Sequence, residues 1–342
     1  MSDELELLRA ANLVPAGAAR WRDRPLDATA ERGLNRLLHH TRTRRARRRL
    51  VLRAEAAVLA LVAVLAFTLT DAGSSRAVAA PAALVPQAAG ATPSLDGLAR
   101  LAQARARTAG PQDGPRRGSH LQSWSLSMGT GPDAASPVTV PEERITRWNA
   151  DGSGSELVVA TDPQHPGRPV IHDDDGRWRT VRDGKVLHRA TYPAGSGAPH
   201  DGLAARTKPP TDPTALRALL TSLYGAANRD GDDPSAVPQL LMALSSYRQE
   251  WTPGPRETAA IVRMLADTEG LRPAGAVTDR LGRRGQAFVH DGPDGAMDAT
   301  RQMVILDPRT GQLLGTEITF TKDLPDFRIT AGQVMSYEAW MS

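Results

Sequence analysis

The chain has 342 residues, of which 40% are hydrophobic and 23% charged, with 42 Lys and Arg against 38 Asp and Glu and no cysteine. Without cysteine there is no disulfide, no thiolate metal site and no cysteine nucleophile. The basic excess is concentrated: residues 1–53 carry 13 Arg against 6 acidic residues, which leaves the remainder acidic and excludes a general nucleic-acid-binding surface.

Residues 1–49 form the first segment. Within it, Ala28 to His40 places Leu34, Leu37 and Leu38 on one helical face opposite Arg32 and Arg36, an amphipathic helix too small to fold alone. Residues 1–41 therefore read as a tail that lies free, lies on the membrane, or docks on a cytoplasmic regulatory protein. His39 and His40 are adjacent and point about 100° apart on a helix, which is poor geometry for shared metal ligation.

Arg42, Arg44, Arg45, Arg47, Arg48 and Arg49 follow, then an apolar run over residues 50–70 that is uncharged from Ala56 to Thr70. At about 1.5 Å per residue, the run spans a hydrocarbon core of about 30 Å as one transmembrane helix. Arg53 and Glu55 sit at one end, where both can reach a headgroup layer. The arginine cluster puts residues 1–49 in the cytoplasm and the large C-terminal part outside the plasma membrane, as a single-pass signal-anchor protein in contact with the bilayer through residues 50–70. A cleaved secretory signal is the rival reading, since Ala77-Val78-Ala79 fits a small-residue cleavage site. The length of chain ahead of the arginines favours the uncleaved anchor.

Residues 71–94 are Ala, Pro, Gly and Ser with little charge, which reads as a linker. Ser94 then caps a short helix bearing Leu98, Leu101 and Ala102. From His120 the period becomes two, with Trp124, Leu126 and Met128 on one strand face and Ser123, Ser125 and Ser127 on the other. Hairpins are expected around Asp151-Gly152 and Asp183-Gly184.

Three one-faced helices follow. Asp212 and Pro213 start the first, with Leu216, Leu219, Leu220 and Leu223 as its stripe. Asp233-Pro234 starts the second, with Val237, Leu240, Leu241 and Leu244. The third, Arg256 to Leu265, carries Ile261, Met264 and Leu265. Two more hairpins follow, one turning through Asp307-Pro308-Arg309-Thr310-Gly311, and a last strand near Ile329 to Trp340 closes the sheet. Arg206 to Pro210 and Gly282 to Gly285 read as exposed turns. Strands, helices, then strands indicate an extracytoplasmic α+β domain over 95–342: one curved antiparallel, half-barrel-like sheet covered by helices.

Catalytic signals are weak. There is no G-x-S-x-G, H-E-x-x-H or P-loop motif, and eight scattered histidines lack ligand spacing. Asp173-Asp174-Asp175 reads as a solvated turn. The stretch from Asn228 to Ser235 opens like a calcium loop but has Asp233 and Gln239 where Gly and Glu are required. No enzyme, cofactor or metal assignment follows.

The DELELLRA start, the arginine run before the span, the TDPTALRALL helix, the VTDRLGRRGQAF hairpin and ILDPRTGQLLG together resemble a family of single-pass membrane proteins of high-GC Gram-positive bacteria, one with no assigned activity. The outer domain is similar in strand and helix order to the half-barrels of lipoprotein carriers and envelope-stress regulators. That resemblance implies an apolar concavity between sheet and helices, lined by Trp124, Leu126 and Met128 and open to an apolar or lipid ligand. Two functions are thus expected: a membrane-anchored, non-enzymatic binding or sensing protein, or a carrier or chaperone for lipid or lipoprotein cargo.

Overall fold

The computed structural model describes residues 81–87, 93–110, 113–127, 138–161, 168–174, 177–181, 184–194, 207–227, 236–291 and 300–341. The tail, the Arg42–Arg49 cluster and the apolar run 50–70 lie outside these residues. Among the described residues, no helix is long and apolar enough to cross a membrane.

The elements in chain order are α1 (Leu95–Thr108), β1 (Arg116–Arg117), β2 (His120–Ser127), β3 (Val138–Trp148), β4 (Gly154–Ala160), β5 (Ile171–Asp174), β6 (Arg177–Thr180), β7 (Val186–Tyr192), α2 (Pro213–Ala227), α3 (Val237–Glu250), β8 (Trp251–Thr252), α4 (Pro255–Ala266), β9 (Arg272–Thr278), β10 (Arg284–Asp291), β11 (Thr300–Leu306), β12 (Leu313–Phe320) and β13 (Val334–Met341). Nine of these strands form one antiparallel sheet in the order β7-β4-β3-β2-β13-β12-β11-β10-β9, while β1 pairs with β8 and β5 with β6. The α+β class holds, and the sheet is open, with β7 and β9 as its edges.

Local chemistry sets the boundaries. Ser94 Oγ accepts from Gly97 N at 3.1 Å and starts α1. Asp212 Oδ1 accepts from Ala215 N at 2.8 Å and starts α2. Between β3 and β4, Asp151 Oδ1 accepts from Ser153 N, and Gly152 takes the φ of +79° that this tight turn requires. Asp307 organises the β11–β12 turn, where its carboxylate takes Arg309 N and its carbonyl takes Gly311 N.

Three features differ from the sequence reading. The stretch around Asp183-Gly184 does not join a hairpin, because β6 pairs with β5 and β7 pairs with β4. Val181 N instead bonds Val170 O, and this turns the chain back into the main sheet. Second, α3 begins at Val237 with Pro238 in its first turn; Asp233-Pro234 lies outside the described residues. Third, the last strand does not close an edge. β13 lies centrally between β2 and β12 and joins two meanders into one sheet, Trp124 standing opposite Tyr337 and Leu121 opposite Trp340.

Each face of the sheet has its own cover. On one face Leu121, Phe288, Val304, Leu306, Leu313 and Trp340 pack with the apolar stripes of α1 to α4, including Leu98, Leu220, Leu241 and Leu265. Fully burying one such side chain contributes about 1.5–3 kcal/mol. On the other face lie separate clusters: Val277, Val289, Met303 and Ile305 with Leu84; Trp124, Tyr337 and Ala339 with Ala83 and Leu281; Ile145, Leu157 and Val159 with Val170 and Ile171.

Register shifts between β9 and β10, β11 and β12, β12 and β13, and β4 and β7 bend the sheet. The bend lets the β9–β10 turn reach across, so that Arg283 donates to Trp340 O at 2.6 Å and Leu314 O at 2.9 Å. Of Gly282 to Gly285, expected as an exposed turn, Gly282 and Arg284 are exposed and Arg283 is half-buried. Gly285 is buried, and a Cβ there would stand 2.3 Å from Ile305 Cγ2. Pro209 is buried as well.

Candidate functional site

Of the residues expected to line a concavity beneath the helices, Trp124 and Leu126 are placed on the opposite face of the sheet, and Met128 lies outside the described residues. The reason is the two-residue period. Leu121 is the β2 side chain that enters the helical core, so Trp124 and Leu126, out of phase with it, face away. Leu126 packs with Phe320 and Ile329. The six membrane-flanking arginines, Arg42, Arg44, Arg45, Arg47, Arg48 and Arg49, lie outside the described residues. Asp173, from the acidic triplet, pairs with Arg147.

Trp124 belongs to a closed polar-aromatic site. Cross-strand pairing sets Trp124, Tyr337, Glu317 and Met303 in a row over β2, β13, β12 and β11. Trp124 and Tyr337 meet edge to face at 5.5 Å. The Arg280 guanidinium, carried on the β9–β10 turn, lies 5.5 Å from the Trp124 ring and 5.4 Å from that of Tyr337. Its Nη2 donates to Glu317 Oε2 at 2.8 Å and to Ala82 O at 2.6 Å. Leu84 N donates to Glu317 Oε1 at 2.8 Å.

The turn that aims Arg280 is itself fixed. Asp279 takes Leu281 N and Arg283 N on one oxygen and the Arg283 side chain on the other. Glu317 is fully buried, and this desolvation pushes its carboxyl above the usual carboxylate range, while Arg280 and Leu84 N–H pull it back. Burial likewise pushes the Tyr337 hydroxyl up. The arrangement neutralises a buried cation and pins residues 81–87.

These residues lay within the stretch read as a linker. Ala82 bridges to Gln333 and Gln87 to Ala276, so 81–87 crosses the sheet from β13 towards β9 as a docked strap. The linker reading is corrected for this segment. Nothing local marks it, because its hydrogen-bonding partners lie 189 or more residues away in sequence.

A second polar centre lies on β3. The Glu143 side chain is fully buried and accepts four bonds: His120 Nε2 at 2.7 Å and Ile171 N at 3.0 Å on Oε1, Gln122 Nε2 at 2.9 Å and Val170 N at 2.7 Å on Oε2. It fastens the β5–β6 ribbon to the sheet. Its inward phase, shared with Ile145, was the signal in the sequence.

At the helices, a cleft of about 390 Å³ opens between Gly110, Asp113, Lys208, Pro210 and Arg256. Beside it, Leu216, Tyr247, Arg248, Trp251 and Ile261 line a gap of about 10 Å³, room for about one water. Arg248 is buried there, stacks 5.2 Å from the Trp340 ring and is pushed down to about 9 by desolvation. Neither a family model nor a curated protein matches this chain.

Proposed function

We propose that the protein is a membrane-anchored, non-enzymatic binding or sensing protein, its anchor the apolar run 50–70, its tail in the cytoplasm and its α+β domain outside. The observation that carries this reading is the docking of residues 81–87. The sheet takes hold of the chain at Ala82, twelve residues after the apolar run ends at Thr70. A stretch of that length reaches at most about 40 Å, so the domain works close to the membrane face. A bent sheet with helices on one side agrees with the half-barrel reading.

The tail then supplies the readout, through a cytoplasmic regulatory protein at residues 1–41. Deleting residues 1–41 while keeping residues 42–342 in the membrane is expected to abolish the transcriptional difference between cells with and without the protein. A preserved difference would count against sensing through the tail.

A further inference from the structure

Residues 81–87 hold the sheet by few contacts. Leu84 is only half-buried, Val85 is 78% exposed, and Gln87 makes the single two-way backbone pair with Ala276. Ala82 also bridges to Gln333, and two further bonds, at Ala82 O and Leu84 N, converge on the Arg280–Glu317 pair. By contrast α1, the next element in the chain, is seated in the helical core through Leu98 and Ala102. A segment with so little buried area opens at lower free energy than the core beneath it.

We propose that residues 81–87 are a latch that sets how far the domain stands from the membrane, with Arg280 and Glu317 as its catch. With residues 81–87 docked, the chain from Thr70 to Ala82 spans at most about 40 Å. Released, the span from Thr70 to residue 93, just before the Ser94 cap of α1, is at most about 80 Å. Release about doubles the reach without touching the helical core. The latch rests on the anchor reading for its reach, but not for its docking.

The cysteine-free chain gives a direct test. Single-cysteine variants of the full chain in lipid vesicles are labelled with a maleimide: Leu84→Cys at the latch, Val85→Cys as the open standard and Leu220→Cys as the closed one. Docked strap predicts that Leu84→Cys reacts at least about tenfold slower than Val85→Cys. Adding Arg280→Ala, or the milder Glu317→Gln, is expected to raise the Leu84→Cys rate towards the open standard while Leu220→Cys stays protected. The proposal stands if either background frees Leu84→Cys alone. It falls if Leu84→Cys already matches Val85→Cys in the parent, if neither background changes it, or if Leu220→Cys rises in parallel in both. Failure of the anchor reading is seen separately, as a chain that does not sediment with the vesicles while its labelling rates are unchanged.

Discussion

At the scale of single residues, buried carboxylates decide the most. Glu143 accepts four donors, two of them backbone N–H groups. Glu143→Gln replaces one acceptor oxygen with an NH₂ group and faces it towards two donors, each costing about 1–3 kcal/mol once orphaned. A clearly lower denaturation midpoint is expected, with the β5–β6 ribbon the first region to exchange its amide hydrogens. Glu338 behaves differently. Burial holds its carboxyl above the usual carboxylate range, against the pull of Ser245, Gln249 and Arg248.

A carboxyl raised in the folded state binds its proton more readily there than in the unfolded chain. Its contribution is therefore full below the unfolded value and is lost as the pH rises through the folded one. Glu338→Gln, which cannot ionise, is expected to melt higher than the parent at about pH 7, and the gap should close towards about pH 4. A gap that is constant with pH would contradict the assignment. Glu143 was not singled out in the sequence, although it shares the strand phase of Ile145, because period alone does not mark a buried carboxylate. Nor were Arg280 and Glu317, because the turn that joins them depends on the bend of the whole sheet.

At the scale of elements, the helical stripes could be read directly and packed as their spacing required. Leu220 and Leu241 are both buried in the helical core. Either changed to Ala is expected to cost about 2–5 kcal/mol, through lost burial and the cavity left behind. Chemical denaturation measures this; an unchanged midpoint for both would mean that these helices do not cover the sheet. Turn chemistry was equally legible at Asp151-Gly152 and Asp307–Gly311, where the turn residues bond only each other. Pairing partners were less so. Asp183-Gly184 has hairpin composition, yet the flanking strands find better partners in β4 and β5, and tertiary pairing overrides the local signal. The central place of β13 follows from its pairing with β2, over 200 residues earlier in the chain, which no local window contains.

At the scale of the whole molecule, sequence and structure each contribute one part. The sequence supplies an arginine cluster and an apolar run of membrane-spanning length; the structure supplies an α+β domain whose first described segment is fastened at Ala82, twelve residues beyond that run. The order of strands and helices disclosed the α+β class, because each element carried its own periodicity. The facing of Trp124 did not follow from it, since choosing which side of a strand meets the helices requires knowing that Leu121 is the residue that does. The measurement closest to the central claim is protease digestion of intact spheroplasts, followed by blotting for each end of the chain. Loss of the domain after residue 71 with residues 1–49 protected is the expected result. A digested tail with a protected C-terminal domain, or protection of both ends, would contradict the account.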